Sequence, residues 1–188
     1  MSRQQLNDSN VVPDRPFAPD SQAVMDAARA AAEHHQHDAI EPEHVLLALL
    51  ACDAGPGRRA LWGLDRRPEE LCHLLEKRMG ALDSCRRHAS PRRFAPGLRH
   101  VIELAAMEAS NRRQDAIDTG HLLLALTHPR QGGITSVLAA RGVTYERVRA
   151  WLAQTPLEVD RIAERVVRLA KPRIVVEDVR VEAPQECT

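Results

Sequence analysis

The chain has 188 residues, 44% of them apolar, so it can bury a sizeable core without help from metals or disulfides. Its 26 basic residues are matched by 26 acidic ones, which leaves no net field to draw the protein to nucleic acid or an anionic membrane. Aromatic residues make up only 3% and Ala and Leu dominate the periodic segments, a balance that favours close-packed helices over sheets.

The first 15 residues are polar, lack the apolar stretch of a signal peptide, and are expected to be flexible. No apolar run approaches the ~20 residues that span a bilayer. The four cysteines, Cys52, Cys72, Cys85 and Cys187, have neither CxxC spacing nor a paired pattern. They read as idle thiols in a reducing compartment, and a cytoplasmic location is expected.

From residue 17 the chain repeats itself without gaps at an offset of 77 residues. Phe17-Ala18-Pro19 falls on Phe94-Ala95-Pro96, Asp38-Ala39-Ile40 on Asp115-Ala116-Ile117, and His44 on His121. Leu46-Leu47-Ala48-Leu49 falls on Leu123-Leu124-Ala125-Leu126, and the register persists through Leu61/Leu138 and Leu75/Leu152.

Each copy reads as four helices. The first starts at Pro19 or Pro96, since the first helical position does not need an N–H. Its buried stripe is Met25, Ala28 and Ala32 in one copy and Ile102, Ala105 and Ala109 in the other; the alanines, four apart, share a face and permit close helix approach. The second helix follows Ile40 or Ile117 and carries VLLALL or LLLALT, apolar on most sides, which predicts the central helix of its repeat. Glycines 55 and 57, and 132 and 133, break that helix. Two shorter helices follow, over 57–63 and 67–79, then 133–141 and 144–154.

Residues 80–93 are polar and read as a linker between repeat one (16–79) and repeat two (94–154). Neither repeat buries its surface well alone, so the two are expected to pack as one pseudo-symmetric domain. Beyond it, Val159, Ile162, Ala163, Val166 and Ala170 recur at helical spacing, predicting an extra helix that Pro172 stops, followed by a loose tail.

These repeats resemble the N-terminal domain of the Clp family of AAA+ protein-unfolding ATPases. There each repeat opens with Phe-Thr and an Ala-spaced helix, then His, Ile and a Thr-Glu-His-Leu-Leu-Leu-x-Leu helix. Copy one supplies Phe17, Ala28, Ala32, His37, Ile40, Glu43, His44, Leu46, Leu47 and Leu49. Copy two supplies Phe94, Ala105, Ala109, Ile117, Thr119, His121, Leu122, Leu123, Leu124 and Leu126. The match spans about residues 15–154.

The resemblance implies an all-α, compact eight-helix domain without chemistry of its own. Such a domain receives substrate proteins, peptides, cyclic peptides or adaptors for a Clp ATPase and protease. The GxxxxGK[ST] loop that cradles ATP phosphates is missing from this sequence. The expectation is therefore a stand-alone relative acting as adaptor, decoy or ligand scavenger, with no cofactor, metal or membrane partner. The rival reading is a DNA-associated regulator using the tail or the linker arginines 86, 87, 92 and 93, although no aromatic residues interleave them.

The resemblance also nominates residues. In some members the Glu of each Glu-His pair recognises phosphorylated arginine, which a carboxylate suits because it can pair with a guanidinium by two charge-assisted bonds. Glu43 retains that position; Gly120 replaces the second Glu, and Ala18 and Ala95 replace the phosphate-holding Thr. A ligand groove between the first helices of the copies is expected to be lined by Phe17, Phe94, Arg99, Ile102 and Glu103. His44 and His121 read as structural, each satisfied by a backbone carbonyl, because no nucleophile or acid stands at a catalytic spacing. His34, His35 and His37 could offer imidazoles to a metal, but neighbours at a helix end point in different directions.

Overall fold

Proline punctuates this chain. Among the described residues, five helices open on it, where φ is already helical and the missing N–H has no partner to lose. The computed structural model describes residues 15–52, 55–65, 67–80 and 93–154. Among them the order is α1 (Pro19–His34), β1 (Ala39–Ile40), α2 (Pro42–Ala51), α3 (Pro56–Leu64), α4 (Pro68–Gly80), β2 (Arg93–Phe94), α5 (Pro96–Asn111), α6 (Thr119–Leu126), α7 (Ile134–Ala140) and α8 (Tyr145–Gln154). The starts of α1, α2 and α4 recur at the same 77-residue offset in α5, α6 and α8. Gly80 closes α4 and Arg93 opens β2, so both ends of the expected linker belong to regular elements. The expected N-terminal arm (up to residue 14), the linker interior (81–92) and the helix and tail beyond 154 lie outside the described residues.

The two central helices are α2 and α6, as their apolar runs require. All eight residues of α6 are buried. Of α2, Pro42, His44, Val45, Leu46, Ala48, Leu49 and Leu50 are buried. Helix α1 packs on α2 and reaches α6; α5 packs on α6 and reaches α2; α2 and α6 touch each other. Val24, Ala28 and Ala32 on α1 and Val101, Ala105 and Ala109 on α5 are fully buried, so the alanine stripes mark the close approach. Helix α3 of the first repeat crosses to pack on α6 and α8 of the second.

A feature that helical periodicity does not reveal holds the copies together. β1 and β2 pair in parallel, with Ile40 opposite Phe94, and a parallel bridge joins Phe17 to Ile117. The two pairings are each other's image under the 77-residue repeat. Ala95 N–H donates to the Ile40 carbonyl (3.0 Å), and Ala18 N–H to the Ile117 carbonyl (2.8 Å). Each repeat's opening segment is therefore strapped to the other repeat.

Polar contacts between repeats are less symmetric. The Asp20 carboxylate accepts from Thr119 Oγ1–H (2.9 Å) and Thr119 N–H (3.3 Å), while Thr119 Oγ1 accepts from Gly57 N–H (3.1 Å). Gly57 is needed there: a Cβ would lie 2.2 Å from the Thr119 carbonyl oxygen. On another side, Arg141 holds the buried Asp65 by two bonds, Nε–H to Oδ2 (2.7 Å) and Nη2–H to Oδ1 (3.1 Å). It also donates to the Arg67 carbonyl at 2.6 Å. Within the second repeat, Tyr145 Oη–H donates to Glu108 Oε1 (2.7 Å), tying α8 to α5.

Two outcomes test these ties. Asp65→Ala leaves the Arg141 fork without its carboxylate and should lower stability by roughly 2 kcal/mol in urea unfolding; a loss below ~0.5 kcal/mol would show the pair is idle. Tyr145 is the chain's single tyrosine. Burial, then the bond to Glu108, pushes its phenol up to about 12. Tyrosinate absorbance should then rise near pH 12 in the folded protein and near the ordinary value of ~10 in denaturant. The stability this group contributes is full below pH ~10 and lost as pH rises towards 12.

Candidate functional site

The helix-start histidines are capping groups. His121 Nδ1 accepts the Asp118 N–H (3.1 Å) while Asp118 Oδ1 accepts the His121 N–H (2.9 Å), a reciprocal box that satisfies two free donors of α6. Burial disfavours the Asp118 carboxylate and pushes its pKa up, but bonds from His121 and the backbone N–H of Gly120 outweigh it and hold the carboxyl below its usual range. His44 Nδ1 accepts the Glu41 N–H (2.8 Å), and its other nitrogen meets His37 Nδ1 at 2.8 Å. Sequence reasoning expected a carbonyl partner for each ring. The structure supplies an N–H donor at each Nδ1, because a helix N-terminus presents N–H groups.

The Glu43 carboxylate stands one position before His44 and is largely covered by protein. It already holds a guanidinium: Arg78 Nη2 from α4 lies 3.3 Å from Glu43 Oε1. In the second repeat, Gly120 has no carboxylate, and the space one would need is filled. A Cβ there would lie 3.1 Å from Asp118 Oδ1 and 3.2 Å from Leu152 Cδ2 on α8. Leu152 thus closes the second position.

The five nominated groove residues separate. Ile102 is fully buried and Phe94 is 6% exposed; both serve the core, because the buried face of α5 and the β1–β2 pairing claim them. Ile102 therefore offers no surface to a ligand. Phe17 is half-buried at its bridge to Ile117. Arg99 and Glu103 are exposed on α5, with Arg99 Nε–H donating to the Phe94 carbonyl (3.1 Å) and Glu103 beside His100 (3.6 Å). Met107, one turn beyond Glu103 and 53% exposed, extends the same face. The signal for it was its i+4 spacing from Glu103, but an apolar residue within a helix is ordinarily assigned to the core.

Of the histidine cluster, His37 Nδ1 meets His44 and Nε2 meets the Met79 carbonyl (3.1 Å). No group of three or more His, Cys, Asp or Glu among the described residues is arranged to hold a metal ion. Arginines 86, 87 and 92 lie outside the described residues; Arg93 is exposed on β2. No helix of the described residues is long and apolar enough to cross a membrane.

Two four-helix repeats cross-strapped at Phe17 and Phe94, with a capping His at each central helix, match a known architecture. The Clp repeat N-terminal domain family matches residues 16–140 and 93–166, two overlapping stretches. This chain belongs to the Clp repeat N-terminal domain family. Among curated proteins it is 28% identical over 138 residues to the negative regulator of genetic competence ClpC/MecB of Bacillus subtilis, covering 73% of this chain and 17% of that protein. It is 26% identical over 138 residues to the chaperone protein ClpB of Oceanobacillus iheyensis, with the same coverage. The chain thus spans about a sixth of the length of the curated relatives it matches.

Solved structures agree in fold. The Hsp104 N-terminal domain of Candida albicans superposes with a TM-score of 0.61 at 15% identity, covering 74% of this chain and 90% of that one. The N-terminal domain of the ClpV1 ATPase from E. coli gives 0.57 at 23% identity, covering 71% and 82%. Within this Clp-repeat frame the two helix-start positions differ: Glu43 is paired internally with Arg78, and Gly120 carries no carboxylate. Gly120→Glu should therefore not add a second carboxylate at no cost. Overpacking against Leu152 predicts a loss of about 1–3 kcal/mol by thermal or urea unfolding, relieved by adding Leu152→Ala. An unchanged midpoint in the single variant would show that the position is open.

Proposed function

We propose that this Clp-repeat domain is a cytoplasmic, non-catalytic protein- and peptide-binding module that works beside a Clp ATPase and protease as an adaptor or decoy. Family membership supports the reading. The observation that carries it is the exposed face of α5, where Arg99, Glu103 and Met107 follow one another at four-residue spacing outside the core. A face with an apolar side chain set among opposite charges suits an extended or helical peptide, because the apolar contact supplies affinity and the charges set orientation.

Guanidinium recognition at Glu43 is a weaker part of the proposal. The carboxylate is already paired with Arg78, so an external guanidinium must displace an internal one whose effective concentration is high. Gly120 leaves the second position without an acid. Binding through α5 is favoured over binding through the helix starts for this reason.

The test is a degradation assay with the Clp ATPase and protease of the source organism and an unfolded model client. Adding this protein should change the degradation rate at least about twofold, faster for an adaptor and slower for a decoy. Arg99→Ala/Glu103→Ala, both exposed, should abolish the effect while leaving the unfolding free energy within ~0.5 kcal/mol of wild type. No change in rate at any concentration, together with no binding to either the ATPase or the client, would sink the proposal.

A further inference from the structure

One buried polar array is not used by the peptide-binding reading. His37 and His44 are 7% and 0% exposed, with ring centroids 4.9 Å apart. Their hydrogen bonds run in a line from the start of α2 to the end of α4. Glu41 N–H can only donate, so His44 Nδ1 must present its lone pair and the neutral ring carries its proton on Nε2. The Met79 carbonyl can only accept, so His37 must carry its proton on Nε2 and present a lone pair at Nδ1. The two ends independently demand complementary tautomers where the rings meet: His44 Nε2–H donates to His37 Nδ1 at 2.8 Å.

The line is therefore satisfied with both rings neutral. The only nitrogens free to gain a proton, His44 Nδ1 and His37 Nδ1, are the two already accepting. A proton on His44 faces the Glu41 N–H; a proton on His37 faces the His44 N–H. Either one turns an acceptor into a donor opposite a donor and breaks the line inside the core.

We propose that the His37–His44 pair is an acid-sensitive latch which holds the C-terminal turn of α4 to the N-terminus of α2 only while both rings are neutral. The second repeat lacks the latch. His121 keeps the capping half, but the residue 77 positions after His37 is Gln114, which does not titrate at these pH values. Acid thus loosens the first repeat selectively, at the end of α4 from which the chain runs on to β2 and the second repeat.

The surrounding charges divide. At the end of α1, His35 stacks on His37 with centroids 5.8 Å apart, and His34 meets the His35 ring edge-on. Once protonated, His35 opposes a second positive charge. Burial first, then His34 and His37, hold the His35 imidazole below its usual range, against Glu76 on α4, which favours protonation. At the start of α2, burial and then Glu43 push the Glu41 carboxyl up, and Glu43 itself is paired with Arg78. Burial first, then His37 and His35, depresses His44 to about 4. A histidine depressed in the fold contributes stability that is full above its unfolded value of ~6.5 and is lost as pH falls towards 4.

Two measurements on the whole chain decide it. Long-range proton–nitrogen NMR at pH 7.5 should find both His37 and His44 with the proton on Nε2; either ring with its proton on Nδ1, or charged, overturns the proposal. Amide exchange, corrected for its intrinsic pH dependence, should show protection of residues 76–80 falling at least about tenfold between pH 7 and pH 4, and that of α6 changing less. His37→Gln/His44→Gln keeps side-chain donors and acceptors at both positions with no proton to gain. In that variant the protection should no longer depend on pH. Equal loss in the variant and in wild type would assign the acid response to other groups. Should the variant fail to fold, the wild-type tautomers and exchange profile still decide the outcome.

Discussion

The reciprocal pairing of each repeat's opening segment with the other repeat is the constraint on which the structure rests. Phe17 bridges to Ile117, and Phe94 pairs with Ile40. Phe94 is buried and Phe17 half-buried at these crossings, and each following helix starts at a proline directly after the strapped segment. A four-helix repeat of this size would leave the apolar surface of α2 or α6 open. Crossing the straps closes both surfaces at once and makes folding of one repeat depend on the other.

From that constraint follows the division of labour along α5. The face turned inward by the β2 strap carries Leu98, Val101, Ile102 and Ala105, all fully buried. What remains for a partner is the opposite face, with Arg99, Glu103 and Met107. Helix α1 has the same core pattern but presents Asp26 and Ala30 at the positions of Glu103 and Met107. The two first helices are alike in how they hold the fold and different in what they show to solvent.

The helix starts tell a similar story. In both repeats a histidine ring accepts an N–H to cap the central helix, a structural use of a residue often suspected of chemistry. Around this common element the copies have drifted: Glu43 with Arg78 in one, Gly120 under Leu152 in the other; His37 behind His44, but Gln114 at the equivalent place in the second repeat. The capping geometry is common to the starts of α2 and α6, and the neighbouring positions differ between the two repeats.

The sequence by itself determined the helical class, the repeat, its 77-residue register and the identity of the central helices. Each of these is written in local periodicity: apolar runs, alanines four apart, prolines at helix starts. Resemblance carried it as far as the family, and the residues behind it, Phe17, Phe94, His44 and His121, do occupy defining positions. Only the tertiary structure decided the rest. Two-residue strands have no period to detect, so the cross-strapping was illegible. Ile102 and Arg99 lie three apart on one helix, and packing alone assigned one to the core and the other to solvent. The partners of Glu43, Asp65 and His37 are Arg78, Arg141, and His44 with Met79. Apart from His44, these stand 35 to 76 residues away in the chain, a separation across which sequence patterns carry no information about hydrogen-bond geometry.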